Sequence, residues 1–210
     1  MSKITKSTFL DGVRELARRD TDFARLYEAT GLPGLRSRRT GYATLLRIIS
    51  GQQVSTAAAR AINGRMDALA NPMTPEIFAK LSDDDLRAVG FSRQKMSYGR
   101  AIAESVLAGE FSFRRVARMD DETAIAEMIK LRGIGRWSAE VYLLFALRRP
   151  DIWPVDDLGI VIGVQGLKGL DGRPGKDAML EYGEAWRPLR SVAARMLWHY
   201  VDVKRRGIFA

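Results

Sequence analysis

Apolar residues along this chain recur at intervals of three and four rather than two. Phe9, Val13, Leu16 and Ala17, then Phe23, Leu26 and Tyr27, put an apolar stripe on each of two helices between residues 5 and 30, because positions three and four apart share a helix face. Asp20 stands where the second helix needs a cap and Gly31 where it must end. The stretch Leu32-Pro33-Gly34-Leu35-Arg36-Ser37-Arg38-Arg39-Thr40-Gly41 combines turn formers with positive charge and reads as a loop between lobes. Helix resumes over 42–49, breaks at Gly51-Gln52-Gln53, and restarts with Ser55 or Thr56 as cap. Asn71-Pro72-Met73-Thr74-Pro75 interrupts again. Short helices are then expected near 77–81 and 84–89, with longer ones over 92–107 and 119–130. Residues 137–147 are nearly all apolar and predict a buried helix. The β-branched run 158–166 would suit a strand, but no other alternating segment exists to pair with it, so helix is expected. A last helix over 186–204 completes an all-α fold of about ten to twelve short helices.

Composition narrows the function classes. The 210 residues include 34 Lys+Arg against 25 Asp+Glu, a net charge of +9, which suits a nucleic-acid partner and equally suits mere solubility. A hydrophobic fraction of 46% is enough to fill a core. The absence of cysteine excludes disulfides, thiol nucleophiles and cysteine-ligated metals, an iron–sulfur cluster among them. The opening MSKITKSTFLDG has no apolar signal core, and the longest apolar run, 141–147, is too short to span a bilayer. An intracellular protein is expected, cytoplasmic or at the nucleoid if bacterial, neither secreted nor bound to membrane.

The chemistry concentrates between residues 129 and 157. Leu131-Arg132-Gly133-Ile134-Gly135-Arg136-Trp137 sets two glycines at a junction between helices, where the backbone can take φ > 0 and offer amides to an anion such as a DNA phosphate. After Pro150 and Pro154 come two adjacent carboxylates, Asp156 and Asp157. Either can cap the helix that follows, where the dipole favours negative charge.

LRGIGRWSAEVYLLFAL followed by PVDDLG resembles the helix-hairpin-helix and catalytic aspartate of base-excision DNA glycosylases with a Gly/Pro-rich loop, the 3-methyladenine DNA glycosylase II branch above all. SGQQVSTAAA at 50–59 and WRPLRSVAARMLW at 186–198 extend the match in the family's order. The resemblance implies two helical lobes with a DNA-binding cleft between them: residues 1–41 with 158–210, and residues 42–157. It implies a monomer that flips and hydrolytically excises alkylated bases, such as 3-methyladenine and 7-methylguanine, from double-stranded DNA. The alternative is a hairpin module that binds damaged DNA without catalysis.

The resemblance also assigns residues. An ungapped count from Trp137 puts the catalytic aspartate at Asp157, leaving Asp156 as the cap; a shift of one residue exchanges the two. Trp137 occupies the position where strand-cleaving members carry a Schiff-base lysine, so water is the expected nucleophile and no lyase activity is expected. Trp137 and Trp198 match aromatic base-pocket positions, and Tyr42 and Tyr142 are further pocket candidates. The family's own pocket tyrosine falls on Val141. Gln53 matches the wedge that enters the duplex, with Gln52 near base edges. Arg93, Lys95, Arg132, Gly133, Gly135 and Arg136 are candidate DNA contacts. No cofactor is required, although the carbonyls of Ile129, Leu131 and Ile134 match a structural sodium or potassium site.

Overall fold

The computed structural model describes residues 3–209. Among them the chain forms α1 (Lys6–Arg19), α2 (Thr21–Thr30), α3 (Tyr42–Gly51), α4 (Thr56–Leu69), α5 (Pro75–Lys80), α6 (Asp83–Val89) and α7 (Arg93–Leu107). There follow α8 (Phe113–Val116), α9 (Asp121–Ile129) and α10 (Arg136–Tyr142), which runs directly into a π-helical turn, Leu143–Leu147. The chain ends on α11 (Leu158–Leu167), α12 (Lys176–Ala185) and α13 (Arg190–Arg205), and no strand occurs among the described residues. The ambiguous segment at 158–166 is therefore helical. Asp20 caps α2 through the amide of Asp22, Gly31 ends that helix at φ 71°, and Ser55 caps α4 through the amide of Ala58. No described helix is long and apolar enough to cross a membrane.

The helices form two compact units, Met1–Ser37 with Leu143–Ala210 and Arg38–Tyr142. The first boundary lies in the arginine-rich loop, between Ser37 and Arg38 rather than after 41. The second lies between Tyr142 and Leu143 rather than at 157, because the intervening segment is tied to the terminal helices. Arg148 accepts the Ile4 amide at 2.8 Å, Pro150 accepts the Ser191 amide at 3.1 Å, and Leu144 accepts from the Arg195 guanidinium at 2.8 Å.

The terminal unit is built on aromatic and charged contacts between distant segments. Trp186 lies edge-on to Phe23 and Trp153, stacks on Tyr182, and donates its indole N–H to Asp20. Asp20 also holds the Lys168 ammonium at 2.6 Å. The last helix begins at Arg190 rather than 186, because Trp186 belongs to this core and Asp151 accepts the Arg190 backbone amide as well as its side chain. Helices α11 and α13 approach closely at Gly163, where a Cβ would sit 2.9 Å from the backbone oxygen of Leu197.

In the central unit, α3 and α7 make the core. Tyr42 is buried at 5% exposure, packs edge-on to Phe78, and donates its hydroxyl to the Gly99 carbonyl at 2.9 Å. Tyr142 is wholly buried; its hydroxyl accepts the Gly41 amide at 2.8 Å and its ring lies against Phe113. Both tyrosines are thus core residues, contrary to the expectation that they line a base pocket. Burial of the ring is the favourable use of such a residue once its hydroxyl has a partner.

Gly163→Ala should lower unfolding free energy by roughly 1–2 kcal/mol, the clash with Leu197 outweighing alanine's better helix propensity. Gly172, with nothing within 4 Å of an added Cβ, is the control; Gly172→Ala should stay within about 0.5 kcal/mol in the same urea titration.

Candidate active site and nucleic-acid interface

Asp157 stands at the head of α11 because the preceding turn closes on it: its amide donates to the Pro154 carbonyl at 3.0 Å, and its backbone is extended at φ −74°, ψ 116°. Its Oδ1 accepts the Ile160 amide at 2.9 Å and the Trp198 indole N–H at 3.0 Å. The residue is 9% exposed. Gly159 makes this arrangement possible, since a Cβ there would meet Trp198 at 3.0 Å and Asp157 at 3.1 Å. Cap and catalytic candidate are therefore one residue, which corrects the assignment of the cap to Asp156. Asp156 is 60% exposed and pairs with Lys176 at 3.6 Å, a surface contact of little energetic weight.

Trp198 is itself braced. Its ring stacks on Phe145 at 5.3 Å, and the Arg195 guanidinium lies 4.7 Å from the other ring's centroid. Arg195 is buried, donates to the carbonyls of Arg36 and Leu144, and leaves its Nε without a hydrogen-bond partner. Burial holds its pKa down, to about 10. Phe145 and Arg195 stand inside the matched blocks 131–147 and 186–198, but nothing in their residue type or spacing singles them out there as neighbours of Trp198. His199 is half-buried beside Thr30 at 3.0 Å, and burial lowers its pKa.

In the central unit the hairpin turn lies between α9 and α10. Gly133 takes φ 85°, and a Cβ there would sit 2.2 Å from the Tyr98 ring, so both conformation and space demand glycine. Gly135 does not take positive φ, and an added Cβ meets nothing within 4 Å. Only one of the two glycines is thus required by the turn; the other leaves its surroundings open to a ligand. Trp137 is half-buried in the first turn of α10.

The loop between α3 and α4 presents Gln53 exposed at φ 55°, followed by Val54 at 38% exposure. Val54 stands within the matched block 50–59, but a single valine between polar residues carries no periodic signal of its own. Gln52 is engaged within the protein: its side-chain amide donates to the Gly133 carbonyl at 3.0 Å and to Ser138 at 2.9 Å.

The candidate cations divide. Lys95 donates to the carbonyls of Ser50 and Gln52 at 2.9 and 2.8 Å, and burial lowers its pKa. Arg136 grips Glu122 with two nitrogens and Glu140 with a third, and the bond to Glu122 raises its pKa. Both are spent on the protein, contrary to their expected place among DNA contacts. Arg93 and Arg132 are exposed and line one open cavity of about 430 Å³ with Ser97 and Glu104. At the hairpin, Leu131 accepts the Ile134 amide at 3.1 Å, while the carbonyls of Ile129 and Ile134 accept no backbone amide among the described residues. Hard carbonyl oxygens of this kind fit a monovalent cation.

A profile of HhH-GPD superfamily base excision DNA repair proteins matches residues 46–188. The chain belongs to that superfamily. It is 35% identical over 161 residues to DNA-3-methyladenine glycosylase 1 of Schizosaccharomyces pombe, covering 75% of this chain and 71% of that one. A putative DNA-3-methyladenine glycosylase of Bacillus subtilis is 34% identical over 61% of this chain, which spans 45% of that longer relative. Among solved structures, the S. pombe 3-methyladenine DNA glycosylase in complex with abasic DNA superposes with a TM-score of 0.85 at 30% identity, over 95% of this chain and 99% of that one. A DNA-3-methyladenine glycosidase from Bacillus halodurans gives 0.77 at 30% identity, over 98% and 95%.

Asp157→Ala should cost about 1–2 kcal/mol of unfolding free energy through loss of the cap. Asp156→Ala should cost less than about 0.5 kcal/mol. Urea denaturation of both variants checks the register, and the reverse order would restore the cap to Asp156.

Proposed function

We propose that this chain is a monofunctional DNA glycosylase that excises alkylated bases, 3-methyladenine and 7-methylguanine among them, from double-stranded DNA as a monomer. The observation that carries the reading is Asp157, a nearly buried carboxylate with one oxygen held by Ile160 and Trp198. As the C1′–N bond breaks, the base leaves with the electron pair and the sugar gains oxocarbenium character. A fixed carboxylate stabilises that charge and accepts a proton from the water that adds to C1′. Preorganisation matters here, because a group already locked by two N–H donors need not reorient during the reaction.

Water as the nucleophile is supported by the hairpin's chemistry. Trp137 offers no amine, and Lys130, the nearest lysine in sequence, is engaged with Glu127 at 2.7 Å. Binding is assigned to the hairpin turn, whose open Gly135 lets a backbone phosphate approach, and to the exposed Arg93 and Arg132 beside it. A sodium or potassium ion held by the hairpin carbonyls would add positive charge at that turn. Gln53 enters the gap left by the flipped nucleotide, with Val54 beside it as an apolar wedge.

Selectivity follows from the chemistry of the leaving base. The histidine of the chain is held by Thr30 and burial lowers its pKa, which makes it a poor acid for protonating a departing base. N3- and N7-alkylated purines are cationic and need no such help; neutral lesions do. Aromatic faces such as Trp137 also favour a cationic base.

Incubation with methylated DNA and chromatography of the freed bases should detect 3-methyladenine and 7-methylguanine, with hypoxanthine and ethenoadenine released more slowly. Asparagine caps as well as aspartate, so Asp157→Asn should keep the fold while lowering release roughly 10²-fold or more. Borohydride should trap no covalent adduct. Binding without any base release would leave the non-catalytic module as the reading.

A further inference from the structure

Gln53 adopts a left-handed backbone at φ 55°, a conformation that a residue with a side chain holds only where its surroundings impose it. The imposing groups are on both sides of Gln52. Its side-chain amide donates to Gly133 and Ser138, in the hairpin turn and the helix after it. Its own carbonyl accepts the Lys95 ammonium, which also binds the Ser50 carbonyl at the end of α3. One turn further along α7, Tyr98 lies against Gly133 and its hydroxyl accepts from Gln94 at 2.6 Å. The start of α7 therefore holds the loop with Lys95 and the hairpin turn with Tyr98, and Gln52 joins loop and turn directly.

We infer that Gln52 and Lys95 are positioning residues that fix the distance between Gln53 and the phosphate-binding turn, so that grip on the backbone and insertion into the gap act as one rigid piece. This rests on the proposed function, which gives Gln53 a gap to enter. The reason for rigidity is the spacing of the substrate: successive phosphates along a strand lie about 3.4 Å apart on the duplex axis. Slack of that size between turn and loop would bring Gln53 to the neighbouring step. Neither residue touches DNA in this account. The half-buried ammonium of Lys95 works on two carbonyls, and Gln52 has no side-chain donor left for a base edge.

The test compares binding of two duplexes by fluorescence anisotropy, one intact and one carrying a tetrahydrofuran abasic-site analogue, for the full chain and for Gln52→Met, Lys95→Met and Lys95→Arg. Thermal unfolding of each variant is recorded alongside. The wild type should prefer the abasic duplex. Gln52→Met and Lys95→Met should each lose about tenfold of that preference, the scale of a small set of hydrogen bonds, with intact-duplex affinity changed by no more than about threefold, whereas Lys95→Arg, which keeps donors for both carbonyls, should retain most of the preference. Undiminished preference in both methionine variants overturns the inference. So does a parallel loss on both duplexes, which would mean only that the hairpin has collapsed. A wild type with no preference for the abasic duplex, yet active in base release, removes insertion by Gln53 and this inference with it; a wild type that neither prefers the abasic duplex nor releases bases overturns the proposed function itself.

Discussion

One carboxylate oxygen organises the terminal unit. Oδ1 of Asp157 closes the first turn of α11 through Ile160 and receives the indole of Trp198 from α13. A cap alone is satisfied by serine or asparagine as readily as by aspartate; the second donor, from a helix distant in sequence, is what demands a precise approach of α13. That approach in turn requires small residues on α11. Gly159 clears space for the tryptophan itself and Gly163 lets the Leu197 backbone come within contact. Interior glycines weaken a helix by up to about 1 kcal/mol each, so their presence is explained by the contact they permit. Phe145 stacks on the tryptophan ring and is itself covered by the Arg195 guanidinium. The result is a carboxylate whose orientation is settled before any substrate arrives, which is the condition under which a fixed charge is most useful in a reaction that develops positive charge.

The central unit shows a different economy. Its conspicuous polar residues are used on the protein before they are used on anything else. Gln52 and Lys95 hold loop, turn and helix together, and Arg136 is clasped by Glu122 and Glu140. What remains for a ligand is backbone at Gly135, an exposed Gln53 and Val54, and the arginines at 93 and 132. Precision comes from many buried contacts, recognition from few exposed ones.

Much of this was legible in the sequence where a residue type has a single good use. The hairpin glycine at 133 and the helix caps at Asp20 and Ser55 fall where their backbone chemistry requires. The helical period gave the right class even at 158–166, where β-branched residues argued otherwise, because a strand needs a partner. Residues with two good uses were not legible. A tyrosine serves a base pocket or a core equally well until its hydroxyl's partner is known, and Tyr42 and Tyr142 found theirs on Gly99 and Gly41. Adjacent aspartates could both cap; the turn that closes on Pro154 decided for Asp157. The unit boundary was misplaced for a related reason: the apolar run 137–147 reads as one helix, whereas its hydrogen-bond partners change from hairpin to terminal helices along its length.

The charge balance illustrates why composition is a weaker guide than placement. A net charge of +9 suits a phosphate-binding face and mere solubility equally well. Yet of the cations expected at the interface, Lys95 and Arg136 are neutralised or enclosed, and Arg100, on the same helix as Arg93, is bound to Asp83 and to the carbonyls of Ala79 and Leu81. Each paired guanidinium still contributes to the long-range field, but it cannot take a phosphate without surrendering a carboxylate, so only unpaired groups release counterions at full effect. On the proposed function, long-range attraction and local grip would be carried by different arginines: the paired set would bring a polyanion near, and the unpaired Arg93 and Arg132, together with open backbone at the hairpin, would determine how it is held.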